Sequence, residues 1–423
     1  MQSSTLPIII QDYPCGSGKT SKMLEGFKLS SKYLVVVPYL SEVLRVLERS
    51  KGVLFKQPIA KGSSSGRKTD NLEELLISGE NIVTTHKLYG SIVKMARQGL
   101  LKDYEIIIDE VPEVCKSVAS KSKYSIRHFY IDKGFVDIQG NGLVLPTEKW
   151  RQYIDIVSDT LDPRIFSYAE TGCLYLIGEH MFIWVMPKEL LTAGRSVTIM
   201  TYKSQGSMLL SYLQKLNCPH VVQSDPEGEG AFRKSARSLI ELRDIPSIRR
   251  LELSYSGQER GKSRSSYYSK VSSALKNLKG RSLKTVPTDE ILITCKKDLW
   301  FKHGSNDPAP GAPSSFSKGS KMFNANWIAN TTRGTNDYSR CSTLIYLYDQ
   351  HINPLIGHWL NESSRSFNDA YALTELIQWV WRSRIRNGEP IVLYLPSPRM
   401  RAIFSDWLEG DDLIGLPEAQ LAA

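Results

Sequence analysis

The stretch that most narrows what this chain can fold into is an apolar run, Leu6-Pro7-Ile8-Ile9-Ile10, followed by Tyr13-Pro14-Cys15-Gly16-Ser17-Gly18-Lys19-Thr20. Three consecutive isoleucines suit a strand buried on both faces of a parallel sheet. The glycine-rich turn ends in Gly-Lys-Thr, and the run Ser21–Leu29 behind it has helical spacing. Strand, glycine turn and helix in that order form a phosphate-binding loop. The backbone amides of Gly16, Ser17 and Gly18 then cradle the β-phosphate of a nucleotide, and the helix start adds its positive dipole end. Lys19 reaches the β- and γ-phosphates, and the Thr20 hydroxyl binds Mg²⁺. Tyr13 stands where the pattern ordinarily has its first glycine.

About ninety residues on, Tyr104-Glu105-Ile106-Ile107-Ile108-Asp109-Glu110 reads as a second buried strand ending in two adjacent carboxylates. Taken alone, such a pair is a solvated loop start. Behind a phosphate-binding loop it supplies what phosphoryl transfer to water still lacks. Asp109 holds the hydrated metal, and Glu110 orients and deprotonates the attacking water.

The chain has 423 residues, room for two or three domains each with its own core. No apolar run approaches the roughly 20 residues of a membrane span. Met1-Gln2-Ser3-Ser4-Thr5 lacks the basic and apolar regions of a signal peptide, and the six cysteines form no C-x-x-C pair. Those features predict a protein of a reducing cytoplasm without zinc or disulfides. The net charge is +10, and it is concentrated: Arg233 to Lys284 holds fourteen Lys/Arg against four Asp/Glu, a difference of +10 in one segment. Tyr255, Tyr267 and Tyr268 are interleaved with these charges. Basic residues with aromatics suit phosphate tracking and base stacking, and they equally suit a solvated surface. The serines and glycines around Ser254–Ser266 predict flexibility there.

Along the chain, strands at Ile8–Ile10, Tyr33–Val37, Asn81–Thr84, Glu105–Ile108 and Ser196–Met200 alternate with helical segments, the pattern of an α/β domain with a mainly parallel sheet. Residues 117–190 read as an insertion, with strand-like pieces at Lys123–Ile131 and Leu174–Ile177. Alternation resumes with strands at Glu290–Thr294, Ser342–Leu347 and Ile391–Leu395, and Asp369–Arg386 reads as a helix ended by Asn387-Gly388. The expected organisation is a first α/β lobe at 1–210, a basic linker or accessory segment at 211–285, and a second α/β lobe at 286–423.

The motif set resembles a superfamily 2 (DExx-box) helicase over nearly the whole chain. Pro14–Thr20 resembles motif I, Val35–Pro38 with Leu40 motif Ia, and Thr84-Thr85-His86 the next nucleic-acid-contacting motif. Asp109-Glu110-Val111-Pro112 looks like motif II and Thr198–Thr201, loosely, motif III. Arg333–Asp337 resembles motif V, and Gln378-Trp379-Val380-Trp381-Arg382-Ser383-Arg384-Ile385-Arg386 motif VI. The compact layout is most similar to bacteriophage-encoded DNA helicases. Pro112 at the fourth position of motif II separates the chain from strict DEAD- and DEAH-box proteins.

The resemblance implies two RecA-like P-loop NTPase lobes with mainly parallel sheets and an ATP site in the cleft between them. ATP and Mg²⁺ are the implied cofactors, with Gln378 as a further nucleotide contact and Thr84, Thr85, His86, Arg333 and Asn336 as nucleic-acid contacts. Arg386 is the expected arginine finger, with Arg382 as its partner one helical turn before it. His86 reads equally as a phosphate donor or a solvent-facing cap, and Trp379 and Trp381 as packing residues. Too few residues precede Tyr13 for an adenine-reading motif, which predicts weak discrimination among nucleoside triphosphates. The implied function is an ATP-dependent DNA helicase or translocase of phage replication or recombination, acting in the host cytoplasm on single-stranded DNA in preference to RNA, with replication proteins as partners. The alternatives are an ATPase that remodels RNA or nucleoprotein complexes without unwinding a duplex, a small-molecule P-loop kinase, and a silent ATPase fold that only binds nucleic acid.

Overall fold

The computed structural model describes residues 6–50, 52–60, 67–118, 126–153, 163–178, 181–261, 265–302, 311–332 and 334–410. They fall into two units. The first comprises Met1–Asp12, Gly18–Ser224 and Asn353–Ser363; the second comprises Tyr13–Ser17, Asp225–Ile352 and Ser364–Ala423.

The strands of the first unit are β1 (Ile8–Asp12), β2 (Lys32–Val37), β3 (Phe55–Lys56), β4 (Asn81–Thr85), β5 (Tyr104–Asp109), β6 (Cys115–Val118), β7 (Val136–Ile138), β8 (Val144–Pro146), β9 (Leu174–Ile177), β10 (Met181–Val185), β11 (Ser196–Thr201) and β12 (His220–Ser224). Seven of them form one parallel sheet in the order β12-β1-β11-β5-β2-β4-β3. Its central strands are continuous apolar runs because both faces are covered; Leu34, Val35, Val36 and Val37 are fully buried, as are Ile10 and Ile108. Each such side chain contributes about 1.5–3 kcal/mol of burial. With every strand parallel, the chain leaves β1, β2, β4, β5 and β11 at the same C-terminal edge, where loops 13–19, 38–40, 85–87, 110–112 and 202–204 begin.

Between β5 and β11 lie an antiparallel sheet, β6-β10-β9, and the hairpin β7–β8. An aromatic chain joins them: Tyr130 packs edge-on against Phe182 at 5.1 Å and Trp150 at 5.5 Å, and Trp150 against Phe166 at 5.2 Å. The strand-like reading of Lys123–Ile131 is corrected here. Arg127–Ile131 is a π-helical turn that buries Tyr130, and residues 123–125 lie outside those described.

The second unit carries β13 (Ile240–Arg243), β14 (Ile291–Thr294), β15 (Asn326–Trp327), β16 (Thr343–Tyr346) and β17 (Ile391–Tyr394), parallel in the order β13-β17-β16-β14-β15. Residues 211–285, expected as a basic linker or accessory segment, contribute strands to both sheets. β12 is a strand of the first sheet and β13 a strand of the second. The predicted flexible middle is helical, over Tyr255–Gly261 and Ser265–Arg281, with 262–264 outside the described residues. Tyr267, Val271, Ala274 and Leu275 recur at helical spacing and enter the core of the unit, where their burial outweighs the weak helix preference of the serines between them. Residues 353–363, inside the stretch expected as the second lobe, group with the first unit and include the helix Pro354–Trp359: Ser211 donates to Glu362 at 2.7 Å, and Trp359 lies against Tyr175.

The motif VI helix also ends earlier than its residues suggest. It spans Arg365–Val380, and a 3-10 turn covers Arg384–Asn387. Ser383 stops it by donating its hydroxyl to the Val380 carbonyl at 2.7 Å, an ending that neither Pro nor Gly marks. Arg382 and Arg386 therefore do not share a helix face.

Candidate functional site

The phosphate-binding turn is built on two glycines that no other residue replaces without strain. Gly16 and Gly18 have φ of +80° and +79°. Gly18 precedes the helix Lys19–Glu25, whose N-terminus carries neither a side-chain cap nor an acidic first-turn residue. Such an end favours an anion.

Around Lys19 and Thr20 the first unit assembles the two predicted carboxylates. The Thr20 hydroxyl donates to Asp109 Oδ2 at 3.2 Å, bringing motif I and motif II side chains into contact across 89 residues. Asp109 is pushed up to about 6, first by burial and then by the neighbouring Glu110 charge. Glu42 raises it further, while the Thr20 bond and Lys19 act in the opposite direction. Glu110 adopts φ +73°, a left-handed conformation that disfavours a side chain by about 1–3 kcal/mol. Its amide donates to the Met200 carbonyl at 2.8 Å, and its carboxylate accepts from the Thr201 hydroxyl at 3.2 Å. Thr201 closes the loosely matched motif III, so that segment touches Glu110, the acid of the motif II match.

A divalent cation fits this donor set. Burial and the nearby acids disfavour the ionised Asp109, and a metal would relieve that. Among the described residues no cluster of three or more His, Cys, Asp or Glu forms a protein cage. The ion would take Asp109 and Thr20 from the protein and its remaining oxygens from phosphate and water, as Mg²⁺ prefers.

Two residues of this region carry no obvious signal in the sequence. Asp12, at the end of β1, accepts from the amides of Lys203 and Ser204 at 2.7 and 2.8 Å and from the Ser204 hydroxyl at 2.7 Å. It thereby ties the strand before the phosphate loop to the turn after motif III. Glu42 is buried on the helix Leu40–Arg49, paired with Arg45 at 3.2 Å. A strand-end acid and a helix acid look ordinary in sequence; only the sheet order sets them beside the site.

The predicted nucleic-acid contacts are placed differently. Thr84 is buried within β4, which removes it from any polymer surface. Thr85 stays partly exposed. The His86 ring bonds the Asp109 carbonyl at 2.9 Å. A carbonyl only accepts, so Nε2–H is the donor, and the ring serves motif II. Arg333 lies outside the described residues. Asn336 accepts from Arg386, which also donates to the Thr335 carbonyl at 3.3 Å. Motifs V and VI are thus joined within the second unit. There Arg382 is buried and donates to the Gln378 carbonyl at 2.9 Å, Arg384 donates to the Pro390 carbonyl, and Gln378, Trp379 and Trp381 are buried. A cavity of about 170 Å³ in this unit is bounded by Cys15, Gly16, Phe232, Trp381 and Arg386.

Comparison with known proteins agrees with this architecture. Residues 234–408 match the YonV C-terminal Rossmann-like domain. Over 410 residues the chain is 25% identical to the SPbeta prophage-derived protein YonV of Bacillus subtilis (strain 168), covering 93% of this chain and 97% of that one. Its structure is similar to an apo form of XPD (TM-score 0.54, 14% identity, 95% of each chain). It is also similar to S. tokodaii Xpd4 (TM-score 0.52, 12% identity, 95% of this chain and 94% of that one). The fold is that of the two-lobed RecA-like helicases. Each unit's parallel sheet corresponds to the mainly parallel α/β pattern expected from the alternating strands and helices. Among the described residues no helix is long and apolar enough to cross a membrane.

Proposed function

We propose that this protein is a nucleic-acid-dependent ATPase that moves along or unwinds its polymer. The observation that carries the reading is the Thr20–Asp109 contact with Glu110 held by Thr201, at the C-terminal edge of a parallel sheet and directly behind a phosphate-binding loop. In this reading Gly16, Ser17 and Gly18 bind phosphate through their amides, and Lys19 neutralises the β- and γ-phosphates. Thr20 and Asp109 hold Mg²⁺, which supplies charge neutralisation at the transferring phosphoryl group. Glu110 takes the proton of the attacking water, and its Thr201 bond fixes the oxygen that does not. Arg386 supplies the finger, positioned by Thr335 and Asn336; Arg382 and Gln378 support it from the buried helix end.

The polymer contacts are sequence-independent. Thr85 contributes at the first sheet's edge. The exposed Lys270, Lys276, Arg281 and Lys284 line the solvent face of the helix Ser265–Arg281 and the turn after it, and no acid lies between Glu259 and Asp289. A surface with that composition favours a polyanion and binds it with strong salt dependence. Single-stranded DNA is proposed over RNA, and a role in phage DNA replication or recombination draws its support from the prophage origin of the similar protein YonV. Replication proteins as partners and the host cytoplasm as location follow from that same reading.

Steady-state ATP hydrolysis measured alone, with single-stranded DNA and with single-stranded RNA tests the proposal. Stimulation by one polymer, lost in Lys19→Ala and Glu110→Gln, is expected. Hydrolysis indifferent to both polymers refutes it. Strand displacement then separates a helicase from an ATPase that remodels nucleoprotein complexes.

A further inference from the structure

We propose that His86 is a positioning residue for the Asp109–Glu110 peptide, and that through it the segment following β4 sets the geometry of both catalytic carboxylates. This role rests on the ATPase reading above.

The sheet register shows why such a residue is needed. On one side of β5, β11 runs alongside as far as Met200 opposite Asp109, and the Glu110 amide donates to the Met200 carbonyl at 2.8 Å. On the other side β2 accompanies β5 only to Val36 opposite Ile108, after which β2 continues beside β4 to Val37 opposite Thr85. The Asp109 carbonyl therefore emerges one residue past its strand partner. His86, the first residue of the short helix His86–Tyr89, supplies the donor that the ladder no longer provides, at 2.9 Å. One peptide plane is pinned at both ends, its N–H to β11 and its C=O to His86. The two side chains flanking that plane are the proposed metal ligand and the proposed base.

The pin acts where the backbone is strained. Glu110 at φ +73° needs its surroundings to hold it, and releasing either end of the peptide allows relaxation toward ordinary backbone angles. Such rotation moves Glu110 away from Thr201 and Asp109 away from Thr20. Displacement of a catalytic group by about 1 Å lowers turnover on the order of a hundredfold. A polymer seated at Thr85 would bear on the residue next to the pin, giving a short mechanical route from track to active site.

Two readouts test this, and one is independent of activity. Amide exchange at Glu110 is compared in wild type, His86→Ala and His86→Gln, whose amide nitrogen reaches about as far as Nε2. Turnover, KM for ATP and the affinity for a fluorescein-labelled single-stranded oligonucleotide are measured on the same proteins. His86→Ala is expected to speed Glu110 exchange about tenfold. It should lower kcat by about tenfold to a hundredfold with KM and oligonucleotide affinity unchanged, and His86→Gln should recover most of both losses. Unchanged exchange overturns the proposal. So does weakened oligonucleotide affinity at unchanged exchange, which would make the ring a direct polymer contact. General loss of protection through β1, β5 and β11 also overturns it, as plain destabilisation; His86→Phe, which keeps the ring volume without the donor, serves if the alanine variant does not fold. A wild type without hydrolysis refutes the ATPase reading, while exchange still decides whether His86 holds the peptide.

Discussion

Asp109→Asn should make the metal-free protein more stable while abolishing hydrolysis. In the folded state Asp109 is pushed up to about 6 from an ordinary 3.8. A raised value means that the folded protein holds the proton more tightly than the unfolded chain does. The associated destabilisation is therefore absent below 3.8, grows as the pH rises toward 6, and is complete above it. That displacement corresponds to roughly 3 kcal/mol, and partial solvent access to the carboxylate reduces this to about 1–3 kcal/mol. Asparagine removes the charge yet keeps an oxygen that accepts from Thr20, so the contact survives in neutral form.

The assay is urea unfolding in chelator without nucleotide, followed by amide exchange in β1, β5 and β11 so that the first unit reports. At pH 8 the variant should exceed wild type by about 1–3 kcal/mol, and the gap should close toward pH 4 as wild-type Asp109 takes up its proton. Adding Mg²⁺ and ADP should reverse the order, because only wild type gains binding energy in the folded state. A variant less stable than wild type at pH 8, or a gap that ignores pH, would refute the argument that this carboxylate is kept at an energetic disadvantage for a cation.

Other outcomes follow from the remaining contacts. Arg386→Ala should lower polymer-stimulated kcat about a thousandfold with an unchanged melting temperature. Arg382→Ala, which opens a buried site, should lose about 1–3 kcal/mol of stability; the reverse pattern would exchange their roles. Asp12→Ala removes an acceptor serving two amides and a hydroxyl and should cost about 2–3 kcal/mol, read as a shift in urea midpoint, with Asp12→Asn recovering part of it. Replacing Lys270, Lys276, Arg281 and Lys284 together by glutamine should flatten the log affinity against log salt slope for single-stranded DNA by about 0.7 per charge removed. An unchanged slope would show that this helix face is only solvated.

What could be read from the residues alone was whatever is written locally. β1 and β5 announce themselves as isoleucine runs because both faces of a parallel sheet are buried, and Gly16, Gly18, Lys19, Thr20, Asp109 and Glu110 follow their strands directly. β12 escaped notice because its residues lie at an edge, with Val221 and Val222 exposed, so no burial pattern marks them. β13 and the helix Ser265–Arg281 escaped for another reason. Charge and serine content dominate that segment, while its fold is decided by four side chains, Tyr267, Val271, Ala274 and Leu275, at helical spacing. Counting charges weighs every residue equally, whereas packing weighs the few that reach the core.

The site shows the same division at longer range. The Asp12 bond to Ser204 spans 192 residues, and the His86 bond to Asp109 spans 23 across the single β4-to-β5 crossover. Neither a period of 3.6 nor one of 2 links such positions. They meet because β1 neighbours β11, and because β4 reaches one residue further along β2 than β5 does. His86 was legible as a residue of interest because of its place after two threonines at a strand end, but its partner was not. The chemistry that a phosphate would have asked of the ring, a donated N–H, is the chemistry that the Asp109 carbonyl takes. Residue type at a motif position thus identifies the kind of bond a side chain will make, and sheet order decides with what. For this chain that second step moves His86 from the predicted polymer surface to the Asp109 carbonyl, the contact on which its proposed positioning role rests.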